Sequence, residues 1–131
     1  MSSFSDHLET AVLNHVFRNT ALPSPASVRL ALFTAAPTDA SGGTEVGGGG
    51  YARQAVTFGA PAVDGGAMKI ATTAAVTFTA AGAGFGTVVA VGYFDVATGG
   101  NMLAWAPITS AAIGDGDSLT FPTGQFTITL T

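Results

Sequence analysis

His7 and His15 are the only imidazoles in this chain. They stand i, i+8 on a helical pattern, two turns apart, whereas a helical zinc pair needs i, i+4. Serines and aspartates that could join them in a hydrolytic triad are present, but no Gly-x-Ser-x-Gly elbow presents a nucleophile. Gly82-Ala83-Gly84-Phe85-Gly86 has the glycine density of a dinucleotide-binding loop. That fingerprint requires a helix after it, and a Thr/Val strand pattern follows here, so a flexible turn is expected. Asp115-Gly116-Asp117 could offer carboxylates to calcium, but with no third acid nearby it reads as a turn ahead of Leu119. No acid–base pair is set by spacing, so neither enzymatic activity nor a cofactor or metal site is expected. Arg53 is the most informative charged residue, in Tyr51-Ala52-Arg53-Gln54 directly after Gly47–Gly50. It is expected to pair with Glu45 or Asp39 and pin the preceding loop, or to meet a neighbouring subunit. Trp105, on a strand of small residues, is expected in the core, with an interface anchor as the alternative.

The elements that hold these residues follow from periodicity. Phe4, Leu8, Ala11, Val12 and His15 gather on one face of a helix from Ser3 to about Arg18, widened by Leu13 and Phe17. Ser3 or Ser5 can cap it, Asp6 and Glu9 suit its first turn, and Arg18 suits its last. Pro23 and Pro25 forbid continuation. That stripe, His15 included, is expected to pack on something, because so short a helix is marginal alone. From Ser27 the period becomes two. Strands are expected at Val28–Phe33, Ala52–Phe58, Met68–Ile70, Ala75–Thr79, Thr87–Phe94, Met102–Pro107, Ser118–Phe121 and Phe126–Thr131, separated by glycine-rich turns. Thr98-Gly99-Gly100-Asn101 is the strongest hairpin signal, suited to a two-residue primed turn. The segment from Thr34 to Gly50, about 17 residues without apolar periodicity, is longer than compact domains usually accommodate and is expected to order on contact with a partner. The fold expected is a mainly β, antiparallel β-sandwich or jelly-roll-like single domain, with an N-terminal helical segment over 1–20 and the sandwich over 27–131.

Composition says how the surface is used. At 131 residues there is room for one core. Apolar residues make up 47% and charged residues only 9%, against roughly 25% charged in ordinary soluble domains. So little charge leaves a weakly hydrated exterior, suited to burial against other copies or other proteins. Net charge is −4 and the four cations are scattered, which argues against direct nucleic-acid binding. No apolar run approaches a membrane span, and no basic-then-apolar secretory leader is visible. Cysteine is absent, so no disulfide framework is expected.

Residues 32–54 read LFTAAPTDASGGTEVGGGGYARQ, and residues 91–103 read VGYFDVATGGNML. With a helix before the first segment, this pattern resembles a small virion-protein family of tailed bacteriophages commonly labelled tail fibre proteins. The resemblance implies a non-enzymatic virion component, assembled in the host bacterial cytoplasm and docked on other virion proteins. The chain shows neither the sequence repeats nor the sustained heptads of a long fibre shaft. A globular capsid decoration (cement) subunit bridging capsomers on the major capsid protein, in homo-oligomers such as trimers, is therefore the main expectation. A tail- or neck-associated fibre component, or a host-surface carbohydrate-binding module, is the alternative. The helix and the long loop would be the reaching elements. Phe4, Leu8, Thr38, Asp39, Glu45, Tyr51 and Arg53 are the candidate partner-binding residues.

Overall fold

A computed structural model of the chain describes residues 3–130. Residues 1 and 2 of the expected helical segment and Thr131 of the expected last strand lie outside them. In chain order the elements are β1 (Ser3–Phe4), α1 (Asp6–Phe17), β2 (Arg29–Ala35), β3 (Thr44–Glu45), β4 (Gln54–Ala55) and β5 (Ala62–Asp64). Then follow β6 (Ala67–Ala71), β7 (Val76–Thr79), β8 (Gly86–Phe94), β9 (Met102–Ile113), β10 (Ser118–Phe121) and β11 (Thr127–Leu130). All strand pairs are antiparallel.

One layer is a sheet in the order β1-β9-β8-β2-β3, with β4 also on β2. Facing it are the pair β10-β7 and the trio β11-β6-β5. Leu30, Leu32, Val88, Val91 and Tyr93 from the large sheet meet Val76, Phe78, Phe121 and Phe126 from the other layer in one continuous core. Burying each of these larger side chains contributes about 1.5–3 kcal/mol. The chain is thus the antiparallel β-sandwich its alternation implies. β2 departs from simple alternation: Leu30, Ala31, Leu32 and Phe33 are all buried. The cause is a second, smaller cluster on the outer face of the sheet, where Ala31, Phe33 and Ala90 pack with Phe94 and Trp105.

The trio β11-β6-β5 runs beyond the core as a tongue. Its inner face begins buried at Phe126 and Thr72 and passes through half-buried Ile70 and Ile128. It ends in a row where Val63 and Leu130 both pair with Met68. Directly paired residues share a face, and these three are exposed. The opposite face carries the ion pair between Lys69 and Asp64.

Several expectations change in detail. Ala52–Phe58 forms a strand only at β4, because β3 takes the place beside β2 further along. The hairpin joining β8 to β9 closes through residues 95–101 instead of a two-residue turn, since Phe94 pairs with Met102. β9 continues past Pro107, where the register against β8 shifts between Val88 and Ala90. Proline fits there because β1, the other neighbour of β9, pairs only at Ala104 and Trp105. The helix starts at Asp6 rather than Ser3. Ser5 is its N-cap, accepting from the backbone N–H of Leu8 at 3.2 Å and donating to the Met102 carbonyl, so the first residues are free to form β1. No residue of α1 is buried, and His15 is exposed, donating from Nδ1 to the Thr20 carbonyl at 3.0 Å. His15 is therefore not a packed residue: it falls to the side of the contact with β9.

Candidate functional site

The long loop between β2 and β4 is held within the chain itself. β2 sits inside the sheet, so its backbone groups need partners, and the loop provides them in sequence. β4 pairs with Arg29 and Leu30, and β3 with Phe33 and Ala35. In the gap between them, the Leu32 carbonyl accepts from the Val46 N–H at 2.9 Å, and the Leu32 N–H donates to the Tyr51 hydroxyl oxygen at 3.1 Å. Gly49 makes the return possible. Its φ is +61°, and a Cβ there would stand 2.5 Å from the Ala83 carbonyl oxygen.

Arg53 locks this arrangement. Its Nε and Nη2 donate to the two carboxylate oxygens of Glu45, each at 2.8 Å. Its Nη1 donates to the carbonyls of Val96 at 3.1 Å and Gly99 at 2.8 Å. The guanidinium lies 3.7 Å over the Phe94 ring, which stacks on Phe33. Tyr51 donates to Glu45 Oε2 at 2.6 Å, while its ring packs on Phe78 and Phe85 in the core. One cation thereby ties the loop to the hairpin 95–101. That hairpin is itself closed by Asp95, which accepts from the Asn101 N–H at 2.9 Å. Only glycine fits at position 100, where a Cβ would stand 2.4 Å from Asp95 Oδ1.

Electrostatics follow from this contact set. Burial raises the Glu45 pKa, but hydrogen bonds from Arg53 and Tyr51 outweigh it and hold the carboxyl below its ordinary value. Burial, and then the bond to Glu45, push the Tyr51 phenol well above its ordinary range. The bond to Glu45 raises Arg53 further, against burial. A carboxylate, a neutral phenol and a cation are thus fixed in one protonation state across the working pH range. They form a clamp with no group poised to exchange a proton.

Of the candidate residues, Glu45, Tyr51 and Arg53 come together, with Arg53 paired to Glu45 as its place after the glycine run suggests. Asp39 is close by on an open cleft of about 470 Å³ shared with Arg53, Glu45 and His7. Its carboxylate goes elsewhere, accepting from Trp105 Nε1 at 2.9 Å, and its carbonyl accepts from the Asp6 N–H at 2.8 Å. Trp105 is half-buried on the outer cluster, not in the main core. Thr38 is exposed and closes a turn onto the Ser41 carbonyl at 2.9 Å. Phe4 packs on the main core from β1, and Leu8 lines a separate groove beside α1. Sequence reasoning missed the Val96 and Gly99 carbonyls, which as backbone acceptors leave no signature in residue type. It also missed Val16 and the row Val63, Met68 and Leu130.

The two acids at 115 and 117 serve turns: Asp115 accepts from the Gly82 N–H and Asp117 from the Gly114 N–H, both at 2.8 Å. Among the described residues no group of three or more His, Asp or Glu could hold a metal. No helix among them is long and apolar enough to cross a membrane.

No curated protein matches the chain. The family model described as podophage GP4 fiber I protein gp80 matches residues 3–129. That span takes in β1, the helix, the loop clamped by Arg53 and all but the last described residue of the tongue. The chain belongs to the podophage GP4 fiber I protein gp80 family.

Proposed function

We propose that this chain is a non-enzymatic, globular subunit of a phage tail-fibre assembly, working by docking onto other virion proteins and other copies of itself. The observation that carries the reading is where its apolar surface lies. Among the described residues seven large apolar side chains are left exposed, and six of them are on two elements that project from the sandwich: Leu13, Val16 and Phe17 on α1, and Val63, Met68 and Leu130 on the tongue. Such ground at projecting elements marks contact surfaces. β11 adds a sheet edge, Thr127–Leu130, without a charge or a proline to discourage pairing. The polar loop, by contrast, is consumed by internal bonds. Glu45, Tyr51 and Arg53 therefore shape the surface and do not reach from it, while Phe4, Leu8, Thr38 and Asp39 lie near the helix and remain candidate contact residues in this reading.

The family supports a fibre component over the capsid cement role. The cement reading retains one argument, a globular sandwich without the repeats of a shaft. Quantitative mass spectrometry of purified virions, with immunogold labelling, separates the two. A tail location at tens of copies is the expected result. Hundreds of copies on the head would establish the cement role, and absence from particles would refute both.

A further inference from the structure

The tongue has two edges, and they differ. β5 is guarded: Pro61 leads into it and Asp64 ends it with a charge. β11 has neither. The direction of its backbone groups follows from one bond. The Thr72 N–H donates to the Phe126 carbonyl at 3.0 Å, and the register Thr127↔Ala71 continues from that pair. Phe126, Ile128 and Leu130 therefore direct their backbone groups toward β6, and Thr127 and Thr129 direct theirs away. The Ala71 carbonyl, opposite Thr127, fits this alternation, accepting from the Gly59 N–H at 2.9 Å on the side away from β11. Among the described residues none takes up the outward groups of Thr127 and Thr129.

The side chains along this edge say what fits it. Phe126-Thr127-Ile128-Thr129-Leu130 has the same order of polarity read in either direction from Ile128. An antiparallel partner runs the opposite way, so the strand that matches this one is the strand itself. We propose that β11 pairs antiparallel with β11 of a second copy, about a two-fold axis through Ile128. Ile128 then faces Ile128 of the second copy, each Thr127 faces a Thr129, and Leu130, 57% exposed in the single chain, faces Phe126. Both threonine pairs exchange both of their backbone bonds. Since Ile128 already pairs with Ile70, an unbroken row of isoleucines crosses the joined sheet. Threonine against threonine is a pairing this chain uses elsewhere, with the Thr77 and Thr120 hydroxyls 3.0 Å apart across β7 and β10. A shift of one residue would set each threonine against an apolar side chain, which fixes the register. No charged side chain lies on β11, so two chains of net charge −4 meet there without like charges opposed. Because the same strand serves on both sides, the contact is isologous and closes at two copies. This rests on the docking reading above and names the partner of its β11 edge.

The chain has no cysteine, so a single introduced thiol reads the register. Across the two-fold axis, position 128 faces itself in a non-hydrogen-bonded pair with Cα atoms about 4.5 Å apart, within the span of a disulfide. Ile128→Cys should therefore cross-link to a dimer under mild oxidation at least about tenfold faster than Leu130→Cys, which faces position 126 and not itself. Sedimentation velocity of the wild type, at concentrations on the order of 100 μM suited to so small an interface, should show dimers. Thr129→Pro removes an outward N–H that the β6 ladder does not use. It should abolish the dimer, and added to Ile128→Cys it should abolish the fast cross-link, with the far-UV circular dichroism unchanged. A monomeric wild type, equal cross-linking at 128 and 130, or a dimer that survives Thr129→Pro would each overturn the proposal. The cross-linking comparison holds even where Thr129→Pro disturbs the tongue. A surviving dimer would move the self-contact elsewhere and leave the assembly reading intact. None of these outcomes depends on whether the chain is found in virions, so the two can fail separately.

Discussion

The irregular loop after β2 and the regular helix before it differ in the opposite sense to their appearance. The loop is rich in glycine and has almost no repeating structure, yet it is fixed by Arg53, Glu45, Tyr51 and the backbone of Leu32. The helix has a proper N-cap and continuous hydrogen bonding, yet none of its residues is buried. Hydrogen-bonded regularity satisfies a segment's own backbone, while anchorage comes from buried partners elsewhere in the chain. The difference separates the part of the molecule that folding anchors from the part that keeps its apolar side chains exposed.

The contrast is broken most severely at Arg53. Arg53→Ala should cost about 3 kcal/mol, measured by urea denaturation. This is the low end for a broken buried pair, because the Glu45 side chain keeps 28% exposure and can rehydrate. Tyr51→Phe removes the acceptor for Leu32 and a donor to Glu45, and should cost about 1–3 kcal/mol in the same assay. A smaller effect sharpens the electrostatic account. The Glu45 carboxyl is held below its ordinary value, so its stabilisation is complete above the unfolded pKa of about 4.3 and is lost as pH falls through the folded one. The gap in thermal midpoint between wild type and Glu45→Gln should therefore narrow as pH drops below about 4, and a constant gap would contradict the clamp's charge state. Smallest of all, Leu13→Lys with Val16→Lys should shift stability by no more than about 0.5 kcal/mol. A large loss there would mean that the helix is packed after all.

Local pattern made some of this legible. The strand at Ser118–Phe121 falls where alternation places it, and β7 and β8 differ from expectation by a residue at one end. Scarcity made the Glu45–Arg53 pair legible, since a chain with four cations offers few partners. Ser5 was one of two candidate caps, and its selection depended on β1 pairing with β9, beside which Ser5 donates to the Met102 carbonyl 97 residues later in the chain. The split of the sandwich's second layer into a pair and a projecting trio depends on register, which alternation leaves free. The order of the long loop was illegible for a related reason. Glycine-rich composition reports the freedom of the unfolded chain, whereas the restraint comes from carbonyls at Val96 and Gly99, more than forty residues away. The exposed row Val63, Met68 and Leu130 was hidden because the same residues read as core until the sheet is seen to outrun its support.

The placement of the four cations has a consequence for survival outside a cell. A trypsin-like protease cuts only after lysine or arginine and needs a locally opened backbone. Arg29 is in β2, bonded on both sides, Lys69 is in the middle strand of the tongue, and the Arg53 head group is enclosed. Only Arg18, at the end of the helix, is offered in an open position. Digestion should nick the chain once, after Arg18, and leave the sandwich undigested, with the N-terminal fragment still held through β1 and Phe4.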